Sequence, residues 1–131
     1  MKGFIPQSYD NGNPKPFEYL PATSGIAVSS GTALTVTAGK LALATGTTAP
    51  SYISMAEVDA TTDGQIIPVI RVAKDVIFET SLSVEIATIA RGAKYTISAD
   101  GNQITATTAS GVAEVVSFDG TAAGSKARVR F

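Results

Sequence analysis

The run from Gln65 to Thr80 constrains the fold of this chain most, because it is dense in Val, Ile, Phe and Thr. Such residues favour a pleated, half-buried surface, and no stretch of the chain has a convincing 3.6-residue apolar period. Two apolar segments flank Ala73-Lys74-Asp75, which predicts two strands joined by a turn. Pro68 cannot donate to a ladder, so the first strand is expected at a sheet edge or with a bulge there. The run is therefore interpreted as the spine of an all-β domain.

Short apolar runs separated by Gly, Asp-Gly and Ser/Thr clusters extend from Gly25 to Phe131. Ala38-Gly39-Lys40 suits a hairpin turn, since its glycine can adopt a positive φ. Many short strands with frequent turn signals predict a compact β-barrel or β-sandwich. The remaining predicted strands are Ile26–Val28, Ala33–Thr37, Leu41–Ala44, Tyr52–Val58, Val84–Ile89, Lys94–Ser98, Ile104–Thr107, Val112–Phe118 and Lys126–Phe131.

An ordered internal echo suggests two related β units, with chance similarity in an Ala-, Gly- and Val-rich chain as the alternative. Two such units would form one core and would leave few long exposed edges. The matched pairs are Gly39–Leu43 with Ala93–Ile97, Met55–Val58 with Val112–Val115, Asp63-Gly64 with Asp119-Gly120, and Val69–Val72 with Ala127–Phe131.

Residues 1–24 differ from residues 25–131, which we interpret as the β domain. The segment holds four of the six prolines, so a helix is disfavoured and an extended arm is expected. Its apolar side chains need something to pack on, either the β domain of the same chain or a neighbouring subunit. The candidate anchors are Phe4, Ile5, Tyr9, Phe17 and Tyr19.

Composition removes several classes of function. The chain of 131 residues is expected to form one domain, and it has neither Cys nor His, so most nucleophile–base and zinc-hydrolase schemes are excluded. A net charge of −1 disfavours nucleic acid as a partner. No window reaches the roughly 18 apolar residues of a membrane span, and the N-terminus lacks a signal-like apolar region. The chain is therefore expected to be made and kept in the cytoplasm, unless it leaves within a larger assembly.

The chemistry-bearing residues favour a protein that is not an enzyme. Thr37–Lys40 lacks the glycine spacing and following Ser or Thr of a phosphate loop, and the Asp-Gly turns lack the ligand spacing of a calcium loop. Paired carboxylates are interpreted as turn or outer-face residues. No catalytic, metal or cofactor site is predicted. The carboxylates considered are Glu57, Asp59, Asp63, Glu79 and Glu85.

Lys126, Arg128 and Arg130 alternate with apolar residues at the end of the chain, which predicts a strand with one cationic and one apolar face. Two interpretations are open for the cationic face. It is either a solvated face within a balanced surface or a basic strip that meets an acidic patch on a partner protein.

This arrangement resembles the capsid decoration proteins of tailed bacteriophages, also called cement or auxiliary head proteins. The resemblance covers about Gly25 to Phe131. The segments that carry it are Gly39–Leu41, Pro50–Ala56, Asp63–Val72, Val76–Thr80, Gly111–Val116 and Arg128–Phe131.

The resemblance implies a structural role on the outer surface of the capsid, where such proteins reinforce contacts between major capsid subunits, commonly as trimers. It implies an N-terminal arm that does part of the gripping, a homotrimer, the major capsid protein as partner and the virion as location. The alternative function is a carbohydrate- or receptor-binding β module of a phage tail or bacterial surface. The absence of Trp counts against sugar stacking in that alternative.

Overall fold

The computed structural model describes residues 2–131, which form ten strands and no helix. The strands lie in two antiparallel sheets of five, and neither sheet is closed into a barrel. The predicted all-β class is therefore confirmed, in its sandwich form. The strands are β1 Ile5–Tyr9, β2 Phe17–Pro21, β3 Ala33–Thr37, β4 Lys40–Leu43, β5 Tyr52–Ser54, β6 Ile66–Arg71, β7 Val76–Ser81, β8 Lys94–Tyr95, β9 Ala113–Phe118 and β10 Lys126–Arg130.

The N-terminal segment supplies one edge strand to each sheet. The first sheet has the order β1-β7-β10-β9-β8, and the second has the order β2-β6-β5-β3-β4. Strand β1 pairs with β7, and β2 pairs with β6 along its whole length, from Phe17 opposite Ile70 to Pro21 opposite Ile66. The first residue of the expected arm lies outside the described range. Both strands of the arm pair with strands of the spine.

The two spine segments belong to different sheets. A turn forms between them, with Val76 N donating to the Ala73 carbonyl at 3.2 Å, but it carries the chain from β6 in the second sheet to β7 in the first. The two strands are not partners in one ladder because each is already flanked on both sides. Strand β7 lies between β1 and β10, and β6 lies between β2 and β5.

Strand β6 is an inner strand, so the expectation of an edge position or a bulge at Pro68 is wrong. The Pro68 carbonyl accepts from Met55 N at 2.9 Å, one residue beyond the end of β5 at Ser54. The N–H and C=O groups of a strand residue point to the same side. Pro68 therefore lacks its N–H on the side of β5, at the point where the β5–β6 ladder ends. No hydrogen bond inside that ladder is lost.

Two hydrophobic clusters occupy opposite faces of the second sheet. The larger lies between the two sheets and includes Ile53 and Ile70 from the second sheet and Phe78 and Val129 from the first. The smaller lies on the other face of the second sheet; its buried members include Leu34, Leu41, Tyr52, Ile67 and Val69. The second sheet curls around this smaller cluster, and Ala22, the residue after edge strand β2, forms an isolated parallel bridge with Leu41 of the other edge strand, β4.

The predicted hairpin at Ala38-Gly39 is confirmed. Strands β3 and β4 pair from Thr37 opposite Lys40, which leaves a two-residue loop. Both loop residues have positive φ, 52° at Ala38 and 80° at Gly39, as a type I′ hairpin turn requires.

The expected strand at 84–89 is wrong. This segment is irregular, with Ile86 and Ile89 buried in the larger cluster. Ile89 N donates to the Ile86 carbonyl at 3.1 Å, which forms a turn, and Ile86 N donates to the distant Thr121 carbonyl at 2.9 Å, so the segment is held by single bonds rather than by a ladder. An apolar run with β-branched residues is equally suited to a loop that covers the end of a core, and periodicity alone does not separate the two.

Candidate interaction surface

The structure separates the five predicted anchors of the N-terminal segment into core and surface residues. Phe4 is fully buried, and its ring meets that of Phe131 edge-on at a centroid distance of 5.1 Å. Ile5 and Tyr9 are half-buried, and Tyr9 packs against the larger cluster. Of the two alternatives for these side chains, Phe4 and Tyr9 take the first, packing on their own chain.

Phe4 reaches the core because the backbone before it lies against the turn at residues 29–32. Phe4 N donates to the Gly31 carbonyl at 2.7 Å, and Gly3 N donates to the Asn102 carbonyl at 2.8 Å. A Cβ at Gly31 would lie 2.7 Å from Phe4 N, and a Cβ at Gly3 would lie 2.5 Å from the Ser30 carbonyl oxygen. Glycine at both positions therefore permits a contact that no other residue would allow without displacement.

Phe17 and Tyr19 are the two anchors that remain exposed, with 54% and 66% of their surface accessible. They are two residues apart on β2, so their side chains lie on the same face of the strand. Their cross-strand partners on β6 are Ile70 and Pro68. Ile70 faces the first sheet from the larger cluster, so Phe17 and Tyr19 lie on that same face of the second sheet, beyond the part that the first sheet covers.

Ile66 and Pro68 extend this exposed area onto β6. Ile66 is 58% exposed and pairs with Pro21 of β2, and Pro68 pairs with Tyr19. We call Phe17, Tyr19, Pro21, Ile66 and Pro68 the β2 patch. Sequence reasoning did not single out Ile66 or Pro68 as interaction residues, because the half-buried strand it predicted did not show which face would be left uncovered. Pro68 was the available signal in the sequence, but it was interpreted as a sign of a sheet edge rather than of an uncovered sheet face.

An ion pair lies on the opposite face of the two strands that carry the β2 patch. Arg71 Nε and Nη2 donate to the two carboxylate oxygens of Glu18 at 3.0 and 2.9 Å. This hydrogen bond raises the pKa of Arg71 above its ordinary value. The Arg71 guanidinium also lies 5.2 Å from the centroid of the Tyr52 ring. A bidentate pair fixes geometry better than a single contact does, so β2 is pinned to β6 at the end that carries Phe17.

The cationic face of β10 is present, and carboxylates of the same chain lie along it. Arg128 donates from both Nη atoms to Asp119, at 2.5 and 3.1 Å, and from Nε to Glu79 at 3.1 Å. The hydrogen bond from Arg128 lowers the pKa of Asp119 and raises the pKa of Arg128. Arg128 is therefore held in a network that joins β7, β10 and the turn after β9.

The other two cations of this strand are more loosely paired. Lys126 Nζ lies 3.9 Å from Glu79 Oε1, and Arg130 Nη2 lies 3.3 Å from Asp10 Oδ2. The side chains of Lys126, Arg128 and Arg130 alternate with buried Ala127 and Val129, as the sequence pattern predicted. The outer face of the first sheet is a mosaic of both charges.

The carboxylates considered for catalysis do not gather into a group of metal ligands. Over residues 2–131, no set of three or more Asp or Glu side chains is placed to hold a metal ion. Glu79 accepts hydrogen bonds from Gln7 and Arg128, and Asp63 pairs with Lys40 at 2.6 Å. In the same described range, no helix is long and apolar enough to cross a membrane.

The β2 patch is the candidate interaction surface that this geometry supports best, with the charged face of β10 as a second, more polar surface. Comparisons of the chain with protein-family models, with curated protein sequences and with solved structures gave no match.

Proposed function

We propose that this chain is a non-enzymatic structural protein that binds the outer surface of a phage capsid and stabilises contacts between major capsid subunits. The observation that carries the proposal is the β2 patch, in which Phe17, Tyr19 and Ile66 are each more than half exposed. Contiguous exposed apolar side chains on a soluble domain mark interaction sites, and aromatic residues are enriched at the centres of protein interfaces. The resemblance to capsid decoration proteins supports the choice of partner.

The regular strand pairing beneath the patch also supports a binding role. Strand β2 is paired with β6 over five residues, and the Glu18–Arg71 pair secures the same strands from the other face. A preorganised surface loses little conformational freedom on binding, so more of the contact energy contributes to affinity. A mobile arm bearing the same two aromatic rings would bind more weakly.

Multivalency explains how so small a patch would serve a capsid. Five side chains form a contact well below the size of a standard stable interface, so one copy is expected to bind weakly. A homotrimer that engages several capsid subunits at once raises the effective concentration of each further contact. The proposed location is accordingly the outer surface of the virion.

Co-sedimentation with mature capsids that lack this protein tests the proposal. Wild-type chain is expected to pellet with the capsids, and the double variant Phe17→Ser/Tyr19→Ser is expected to bind at least about tenfold more weakly. Val84→Ser is the matched control, because Val84 is 46% exposed and lies outside the patch. Failure of the wild-type chain to bind, or equal binding by the double variant, would refute the proposal.

One observation favours the alternative, a carbohydrate- or receptor-binding module. Phe17 and Tyr19 present two rings on one face of a strand, and exposed rings can stack on sugar faces. A glycan array probed with the wild-type chain and with Phe17→Ser/Tyr19→Ser separates the two functions. Saturable glycan binding that the double variant loses, without capsid binding, would favour the alternative.

A further inference from the structure

The outer edge of β2 presents main-chain hydrogen-bonding groups beside the β2 patch. The Pro68 carbonyl accepts from Met55 N, on the β5 side of β6, so the main-chain groups of Pro68 point away from β2. Tyr19 is opposite Pro68, and opposite residues of an antiparallel pair either exchange both hydrogen bonds or exchange none. The N–H and C=O of Tyr19 therefore point outward from the sheet, as do those of Phe17, two residues earlier.

The main-chain groups of Phe17 and Tyr19 have no hydrogen-bond partner within the described chain. The second sheet closes towards β4 only beyond the end of β2, where Ala22 bridges Leu41 in parallel. Continued back along β2, that alignment brings Ala38 level with Tyr19, and Ala38 lies in the exposed hairpin turn before β4. The donors and acceptors of this edge are therefore open to a partner.

The other three sheet edges in the described part of the chain are less open to strand addition. Strand β1 has a register shift between Pro6 and Ser8, β8 is only 2 residues long, and β4 is bridged by Ala22. Proteins commonly protect their sheet edges with prolines, bulges and short strands. Strand β2 pairs with β6 without a register shift, and Pro16 and Pro21 limit its open stretch to the residues between them. That stretch has room for one short partner segment.

We infer that the partner contributes an extended segment that pairs antiparallel with the edge of β2, and that two apolar residues of this segment flank one residue without negative charge. The inference rests on the proposed function in one respect, that the β2 patch binds a protein. Antiparallel pairing forms all four hydrogen bonds with two residues, opposite Phe17 and Tyr19, whereas parallel pairing spreads them over a longer segment. Directly opposite side chains share a face, so these two residues extend the apolar patch.

Glu18 specifies the residue between the two apolar ones. Its side chain lies on the face opposite the patch, where both carboxylate oxygens accept from Arg71. The Cα of a residue opposite Glu18 would be about 4.5 Å away, and a like charge at that position is destabilising. Antiparallel pairing of β2 with β2 of a second copy, centred on Glu18, would place two glutamates opposite each other. The occupant is therefore a segment of a different protein.

The blocked pentapeptide acetyl-Lys-Val-Thr-Val-Lys-amide is the probe, and the amide chemical shifts of the full chain are the readout. We expect saturable shifts at Phe17 and Tyr19, with a Kd on the order of 1 mM. N-methylation of both valines removes the two donors that face β2, so binding should weaken at least about tenfold. N-methylation of the threonine is the matched control, because that donor faces away from β2, and this peptide should bind like the unmodified one. Replacing the threonine by aspartate should weaken binding about threefold.

A pair of variants tests the same edge from the side of the protein. Tyr19→Ala keeps the N–H of this residue, Tyr19→Pro removes it, and both lack the ring. Proline is tolerated on an edge strand where its nitrogen faces outward, so the two variants should unfold at similar temperatures. In capsid co-sedimentation, Tyr19→Pro is expected to bind at least about threefold more weakly than Tyr19→Ala. Equal binding by the two folded variants would overturn the inference.

Shifts that do not saturate, that map to another sheet edge, or that are equal for the valine-methylated and threonine-methylated peptides would also overturn it. If Tyr19→Pro does not fold, the peptide series on the wild-type chain decides. Failure of the proposed function is measured separately, by co-sedimentation of wild type and Phe17→Ser/Tyr19→Ser with capsids. If the protein pellets with capsids but the unmodified peptide does not bind, the strand inference fails alone. If the peptides bind in the expected order but the protein does not pellet, the inference holds and the capsid proposal fails.

Discussion

Gly31 determines how close the N-terminal segment can come to the body of the protein. Its φ is +99°, and the position of its missing Cβ is 2.7 Å from Phe4 N. Gly12 has a similar φ of +74°, but nothing lies within 4 Å of its missing Cβ. Substituting each of the two glycines therefore separates the free-energy cost of an unfavourable φ from the free-energy cost of a steric clash.

We predict that Gly31→Ala destabilises the protein by at least about 2 kcal/mol more than Gly12→Ala does. Both variants place a side chain at positive φ, which costs roughly 1 kcal/mol, but only the first also displaces Phe4 from the core. Equilibrium unfolding in urea measures the difference. Equal destabilisation by the two variants would show that Phe4 and Gly31 are not in contact.

A second prediction concerns acid pH and the ion pairs of Asp75 and Asp119. Hydrogen bonds from Lys15 and Arg128, respectively, lower the pKa of these carboxyls below the ordinary value of 3.8. A carboxyl whose pKa is lower in the folded state stabilises the protein above its unfolded pKa, and this contribution disappears as the pH falls through the folded pKa. The free energy of unfolding should therefore decrease below about pH 4.

The Asp119→Asn variant tests the assignment. It should be less stable than wild type at pH 7, with a difference that shrinks as the pH falls below 3.8, because wild type loses the same interaction by protonation. Asp59→Asn, at an exposed residue without an ion pair in the described chain, is the control. A difference between Asp119→Asn and wild type that stays constant from pH 7 to pH 2.5 would contradict the prediction.

At the scale of the elements, turns between neighbouring strands could be predicted from the sequence, whereas pairing between strands distant in the chain could not. The Ala38-Gly39 turn fixes its hairpin because the two strands are adjacent in the chain. The turn at Ala73–Asp75 could not show that β6 and β7 lie in different sheets, since each pairs with strands distant in sequence. The alternation of charged and apolar residues was sufficient to predict the two faces of β10. It was not sufficient to predict which carboxylates bind Arg128.

The candidate site was partly predictable for the same reason. Composition marked the aromatic residues of the first 24 as anchors, but burial depends on which face of which sheet they reach. Phe4 enters the core beside Phe131, whereas Tyr19 lies on a face that the first sheet leaves uncovered. Ile66 was missed because it is part of the most apolar run in the chain.

We predict that Phe4→Ala destabilises the protein by about 3–5 kcal/mol, as expected for truncating a fully buried phenylalanine. Tyr19→Ala, in the same N-terminal segment but 66% exposed, should change stability by less than about 0.5 kcal/mol. Thermal unfolding followed by circular dichroism measures both. Similar melting temperatures for Phe4→Ala and wild type would mean that the Phe4 ring does not contribute to the core.

At the scale of the whole molecule, the surfaces divide by character. The outer face of the first sheet is a paired mosaic of charges, and the β2 patch is apolar. Paired charges contribute little to binding because they already have partners, whereas the exposed apolar side chains of the β2 patch gain free energy when a partner covers them.

We predict that the purified protein is a homotrimer, with a molar mass near three times 13.4 kDa by light scattering behind a sizing column. Phe17→Ser/Tyr19→Ser should show whether the β2 patch joins the copies. A mass near 13.4 kDa for the wild-type chain would contradict the prediction and would raise the standing of the glycan-binding alternative.

The position of β7 has a consequence for biosynthesis. It receives β1 on one side and β10 on the other, and Phe4 meets Phe131 across the same region. The first sheet therefore cannot be completed until residues 126–131 have emerged from the ribosome, and contacts this distant in sequence are slow to form. During translation of about fifty residues after β7, one edge of that strand has no partner, and nascent chains on one messenger are exposed to mutual strand pairing.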